Sequence, residues 1–118
     1  MSVPRLSWSV RKAGPWTIAE VGGEIDLATA PEFRRLLLGC LDDTSSLVVD
    51  LSKTEYLDST GLGVLIGVLR QTKALGGQLR LAGLQRRVRQ VFQITHLNEL
   101  FAIYDTAEDA LGRVGGPR

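Results

Sequence analysis

At 118 residues the chain is long enough for one domain with a single core and too short for two. Apolar residues make up 44% and charged residues 23%, ordinary globular usage that argues against a disordered chain. The formal net charge is +1 with the signs interspersed, so the overall charge favours neither nucleic acid nor an acidic membrane surface as partner.

Cys40 is the only cysteine, which excludes an intrachain disulfide and fits a reducing compartment. Met1-Ser2-Val3-Pro4-Arg5 has no apolar segment behind it, and no aliphatic run reaches membrane-spanning length. The expectation is a small cytoplasmic protein that does not insert in a membrane.

Leu6, Trp8 and Val10 alternate with Ser7, Ser9 and Arg11, the period of a half-buried strand. Lys12-Ala13-Gly14-Pro15 reads as a turn and residues 16–21 as a second strand, together a hairpin that Gly22-Gly23 ends. Thr29-Ala30-Pro31-Glu32 matches a capping box with proline in the first turn. Phe33, Leu36, Leu37, Cys40 and Leu41 follow at helical spacing, and the run from Asp42 to Ser46 stops the helix. Leu47-Val48-Val49-Asp50-Leu51 is nearly all apolar, as a covered central strand would be.

Leu62, Leu65, Ile66 and Leu69 mark one face of a second helix that runs to about residue 75 and stops at Gly76-Gly77. A short strand at 78–82 and a third helix at about 84–95 follow, the helix burying Val88, Val91 and Phe92. A last strand at 100–104 precedes a short helix opened by Thr106-Ala107-Glu108-Asp109. The order ββαβαβαβα predicts one α/β domain, a mixed sheet of four to five strands with about four helices. The single domain spans 1–118, with an ordered core at about 5–112 and a frayed tail at 113–118.

The chemistry concentrates in Tyr56-Leu57-Asp58-Ser59-Thr60-Gly61-Leu62-Gly63-Val64. Ser59 is placed to be the N-cap of the second helix, where a side-chain oxygen accepts from orphan N–H groups and negative charge is tolerated. A hydroxyl there could carry a phosphate, although most serine caps are only structural. Thr60, Gly63 and Gly67 lie at i, i+3 and i+7, so a nearly bare strip runs from this point. Gly61, Gly63 and Gly67 together cost about 1.5–3 kcal/mol of helix propensity relative to alanine. Close approach of a strand of the same fold, or of a partner protein, would account for that deficit.

Gly61-Leu62-Gly63 does not complete a dinucleotide fingerprint, because three residues separate Gly63 from Gly67 where two are wanted. The apolar strand, ending at Leu51, also stops too far upstream to open into the motif. No Walker-type Gly-Lys-Ser/Thr occurs, and no cofactor is expected. Asp26, after the second strand, reads most simply as a turn or cap acid. Asp58 is either a solvated acid favoured by the helix dipole or a group that orients the Ser59 hydroxyl. His96 is the sole histidine, so no His-based metal cluster can form, and it reads as a loop residue. Arg86-Arg87-Val88-Arg89 reads as a solvated helix face rather than a phosphate-backbone contact.

Taken together, Gly23-Glu24-Ile25-Asp26 with Thr29, the strand Leu47–Leu51, Asp58-Ser59-Thr60-Gly61-Leu62-Gly63 and Gly76-Gly77 resemble the anti-sigma factor antagonists, the small single-domain bacterial STAS proteins. The likeness covers nearly the whole chain, and the Asp-Ser-Thr-Gly-Leu-Gly block carries no departure from the family pattern. It implies a STAS-type sheet and a partner-switching regulator of transcription rather than an enzyme. The unphosphorylated protein would bind an anti-sigma factor that is a serine kinase, freeing the sigma factor. Phosphorylation at the position of Ser59 would end the complex, and a PP2C-type phosphatase would reset it. Asp26, Asp58, Thr60, Gly61, Gly63 and Gly67 would then be neighbours of the phosphosite and partner contacts. A weak homodimer is compatible with this role, and no direct nucleic-acid partner is implied. The alternative is a STAS scaffold or accessory subunit of a stressosome or a membrane lipid transporter.

Overall fold

The computed structural model describes residues 6–41 and 46–112. Of the expected helix stop at 42–46, residues 42–45 lie outside the described residues and Ser46 opens β3; the start of the core at residue 5 and the tail at 113–118 also lie outside them. In chain order the elements are β1 (Leu6–Ala13), β2 (Trp16–Ile25), α1 (Ala30–Cys40), β3 (Ser46–Leu57), α2 (Ser59–Ala74), β4 (Gln78–Ala82), α3 (Arg86–Ile94), β5 (Ala102–Tyr104) and α4 (Ala107–Ala110). This is the predicted ββαβαβαβα order, with one 3-10 turn at Leu97–Glu99 added before β5.

The strands form one sheet in the order β1-β2-β3-β4-β5. β1 is antiparallel to β2, and every later neighbour pair is parallel. Each parallel crossover steps one strand in the same direction, and a right-handed connection then puts α1, α2 and α3 on one face. There Phe33, Leu37, Leu65, Val68, Val88 and Phe92 pack on Ala19, Val21, Leu47, Val49 and Leu81. The opposite face is thinner: Ile18, Val48, Ala82 and Tyr104 meet Ala110 of α4. Arg80 crosses that face, donating to the Ala110 carbonyl at 2.7 Å and lying 4.5 Å from the centre of the Trp16 ring.

Two strands are longer than their apolar runs. β2 does not end at Gly22-Gly23 but continues to Ile25, and β3 continues from Leu51 to Leu57. The glycines bend the strand instead of stopping it. Register between β2 and β3 slips between Glu20 and Gly22 and again between Gly23 and Glu24. A Cβ at Gly22 would come within 2.7 Å of the Ser7 hydroxyl and 3.0 Å of Lys53 Cβ, and Gly23 takes φ of +101°, the region glycine tolerates. The Thr54 hydroxyl donates to the Val21 carbonyl at 2.8 Å, fixing the bulge from the neighbouring strand. Apolar content marks only the buried half of such a strand, so the expected strand ended at Leu51 and its polar half at 52–56 was not seen.

The remaining differences are at helix and strand ends. α3 begins at Arg86, with Leu84 and Gln85 leading in and Gln85 donating to the Ser52 carbonyl at 2.9 Å. β5 begins at Ala102, because Phe101 is used in an edge-on contact with Phe92, ring centres 5.7 Å apart. Val91 is only half-buried, unlike Val88 and Phe92.

Candidate functional site

Ile25 and Leu57 are register partners at the carboxyl ends of the parallel strands β2 and β3. The Asp58 N–H donates to the Ile25 carbonyl at 3.1 Å, so Asp26 and Asp58 leave the same edge of the sheet side by side. From there the chain turns once into α1 and once into α2, and the two helices run alongside each other in the same direction. This places the candidate residues of two distant sequence segments at one end of the molecule.

Asp58, not Ser59, is the N-cap of α2. Its carboxylate accepts from the main-chain N–H groups of Thr60 at 2.9 Å and Gly61 at 3.2 Å, and from the Thr60 hydroxyl. The expectation for Ser59 is corrected: Ser59 is the first helical residue and exposed, and its hydroxyl makes no hydrogen bond among the described residues. Asp58 therefore engages the neighbouring hydroxyl of Thr60 and leaves that of Ser59 free. Thr60 is half-buried with its proton committed.

Asp26 is the turn acid that its position suggests. Its carboxylate accepts from Ala28 N–H at 3.0 Å and Thr29 N–H at 3.1 Å. The Thr29 hydroxyl donates to the Glu24 carbonyl at 2.8 Å and accepts from Asp26 N–H at 2.9 Å. Thr29 thus occupies the N-cap position of α1 without capping it through its side chain, and the expected capping box is not formed. The hydroxyl instead locks the β2–α1 turn that presents Asp26.

The three glycines separate by environment. A Cβ at Gly61 would lie 2.8 Å from Ile25 Cγ2 and 3.0 Å from Leu57 Cγ, so the fold itself requires that glycine. Gly63 and Gly67 are exposed, and nothing lies within 4 Å of a Cβ built on either. Close approach within the fold accounts for the first glycine only.

Gly63 opens on a hollow of about 500 Å³ between the first halves of α1 and α2, lined by Leu27, Ala30, Pro31, Arg34, Arg35, Thr60 and Val64. Leu27 stands 76% exposed at its rim. A second groove of about 600 Å³ continues along the helices past Arg34, Leu38, Gly67, Gln71 and Leu75. Leu27, Arg34 and Arg35 did not stand out in the sequence. Leu27 carried a usable signal, a large aliphatic side chain in a turn between an acid and a cap residue.

One argument against dinucleotide binding falls, because β3 does open into α2 through Asp58 alone. The spacing argument stands, and the first-turn amides that would cradle a pyrophosphate are occupied by the Asp58 carboxylate. Among the described residues no group of three or more His, Cys, Asp or Glu could hold a metal ion, and no helix is long and apolar enough to cross a membrane. His96 lies far along the chain in a left-handed turn, with φ of +61°, beside Glu99. Arg86 and Arg87 are solvated on α3, and Arg89 lies 3.9 Å from Asp105.

The model of the STAS domain matches residues 7–110. The anti-sigma-B factor antagonist of Bacillus subtilis is 36% identical over 88 residues, covering 75% of this chain and 81% of that protein. The protein of the same description from Staphylococcus aureus is 34% identical over 90 residues, covering 75% and 83%. Among solved structures, an anti-sigma factor antagonist from Mycobacterium paratuberculosis superposes with a TM-score of 0.84 at 29% identity, covering 97% of this chain and 98% of that one.

Proposed function

The chain belongs to the STAS-domain family, and we propose that it is an anti-sigma factor antagonist switched by phosphorylation of Ser59. One observation carries the switch: the Ser59 hydroxyl is exposed and unengaged at the first position of α2, while its neighbour Asp58 does the capping. Modification of Ser59 therefore removes no bond that holds the helix.

In the unphosphorylated state the surface around Ser59, Leu27, Gly63 and Gly67 docks on an anti-sigma factor, a serine kinase, which then releases its sigma factor. A phosphate adds about −1.5 to −2 charges and three acceptor oxygens. The amides of Thr60 and Gly61 are already bonded to Asp58, so the phosphate meets an occupied cap and points outward beside two carboxylates. The helix dipole offsets part of the cost inside the fold by about 0.3–1 kcal/mol. The partner surface meets the full charge and the added bulk. Release follows from repulsion and steric block without a large rearrangement. A PP2C-type phosphatase restores the hydroxyl. The chain acts by binding and not by turnover, in the cytoplasm, where sigma factors work. The scaffold and transporter-accessory roles draw no support from a particular residue of the site.

The test is titration calorimetry with the kinase recovered from cells on Ser59→Ala bait. Ser59→Ala should bind like the unphosphorylated protein, and Ser59→Asp about a hundredfold or more weaker, a difference near 2.7 kcal/mol. Equal affinities for the two variants would sink the proposal.

A further inference from the structure

The outer edge of the sheet is long and apolar at its centre, and among the described residues no strand lies beside it. β1 runs eight residues from Leu6 to Ala13 and is the last strand on its side, whereas β5 at the other edge has three residues. Soluble proteins keep edges short, charged, bulged or covered, because a free row of N–H and C=O groups templates pairing. β1 has no bulge against β2 and no proline, and its only charges, Arg11 and Lys12, sit near one end. Trp8 is 56% exposed and Val10 43%.

The hairpin fixes which groups the edge offers. Ala13 and Trp16 close a two-residue turn whose first residue, Gly14, has φ of +62°, as a type II′ turn requires. The closing pair of such a turn is hydrogen-bonded, and bonded pairs alternate along an antiparallel ladder. Ser7, Ser9, Arg11 and Ala13 therefore spend their main-chain groups on β2. Leu6, Trp8, Val10 and Lys12 point theirs outward. Their side chains share the α1 side of the sheet with Val21 and Ala19, the register partners of Trp8 and Val10.

We infer that this edge pairs with the same edge of a second copy, antiparallel, about a two-fold axis at Ser9. An axis normal to the sheet keeps the helix-bearing faces on one side, so outward residues must oppose outward residues. Centring on Ser9 places Trp8 opposite Val10 of the second copy, Leu6 opposite Lys12, and Ser7 opposite Arg11. Residues 6–12 are then all paired, with about eight main-chain hydrogen bonds and no like charges opposed. Centring on Trp8 or Val10 instead leaves three bonded pairs within the strand where centring on Ser9 gives four. The aromatic and β-branched pair occurs twice, once on each side of the axis.

A hollow of about 330 Å³ lies against α1 beside the edge, lined by Val10, Lys12, Thr17, Arg35, Leu36, Gly39 and Cys40. The indole of Trp8 from the second copy, opposite Val10, comes next to it. A second copy thus fits the backbone pattern, the side-chain pairing and the hollow with the same register. The edge lies two strands from β3, which leads into Ser59, and only Arg35 lines both this hollow and the one beside Gly63.

Sedimentation velocity of the full chain over a concentration series tests the pairing, alongside Trp8→Lys and Val10→Lys checked for an unchanged fold by circular dichroism. Reversible dimerisation should weaken by about tenfold or more in each variant. The register is read by oxidative crosslinking. Ser9→Cys brings two thiols to the axis at a non-bonded pair, with a Cα separation near 4.5 Å that a disulfide spans. Ser7→Cys faces Arg11 of the second copy and should crosslink no faster than the natural chain, whose Cys40 is half-buried. A chain monomeric throughout the series, a dimer that survives Trp8→Lys, or equal crosslinking of Ser7→Cys and Ser9→Cys would overturn the inference.

Discussion

The Asp58 carboxylate accepts from both the main-chain N–H and the hydroxyl of Thr60, and so engages the hydroxyl adjacent to that of Ser59. The same carboxylate holds the first turn of α2 through Gly61. Of two adjacent hydroxyls, one belongs to the helix and the other to the solvent. Capping follows from where that single side chain points, and so does the choice of acceptor in the proposed switch.

Asp58→Ala should destabilise the protein by about 1 kcal/mol, the usual cost of a lost cap, while Asp58→Ser retains most of the stability. Ser59→Ala should stay within about 0.5 kcal/mol of the natural chain, since it removes a surface hydroxyl without a partner. Urea unfolding at constant m separates these outcomes. A larger loss from Ser59→Ala than from Asp58→Ala would return the cap to Ser59.

Phosphoryl transfer by the partner kinase should reach Ser59 and not Thr60. Fragment mass spectrometry should find the added phosphate on Ser59, retained in Thr60→Val and absent in Ser59→Ala. A Thr60→Val protein that no longer takes up phosphate would mean that the committed hydroxyl is the acceptor after all.

The glycines of α2 should behave in opposite ways. Gly61→Ala forces a methyl against the buried Ile25 and Leu57 side chains and should cost about 1–3 kcal/mol. Gly67→Ala meets nothing and should add about 0.5–1 kcal/mol through helix propensity. If the bare strip is a partner contact, Gly63→Leu leaves stability intact and weakens kinase binding. Unchanged binding in that variant would remove the strip from the docking surface.

Burial raises the pKa of the Cys40 thiol above its ordinary value, with the nearby Lys12 charge opposing part of the rise. The neutral thiol is thus favoured more in the folded chain than in the unfolded one. The contribution is complete below the unfolded thiol's pKa and is lost as pH rises through the folded value. Relative to Cys40→Ser, the natural chain should lose stability only above the ordinary thiol range, and its alkylation by iodoacetamide at mildly alkaline pH should be slow. A stability difference independent of pH would rule out the burial effect.

Element order was legible because burial on one face imposes a period, and Phe33-Leu36-Leu37 or Leu62-Leu65-Leu69 keep that period without the rest of the molecule. The Asp-Ser-Thr-Gly-Leu-Gly block and its neighbours identified the family from residues alone. The polar ends of β2 and β3 were not legible, since Thr54 and Gly22 are strand residues only through each other's strand. Nor could the three glycines be sorted, because a helix shows the same sequence whether its bare side meets Ile25 or open space.

The choice of cap lay beyond the sequence for a sharper reason. Aspartate and serine cap helices about equally well, so adjacent Asp58 and Ser59 carry no local preference. What decides is the parallel ladder: the Asp58 N–H is bound to the Ile25 carbonyl on β2, and Asp58 is held extended at φ −104° and ψ −170°. The helix can start only at the next residue. A hydrogen bond between strands that are 33 residues apart in sequence at this point therefore frees the hydroxyl on which the proposed switch depends.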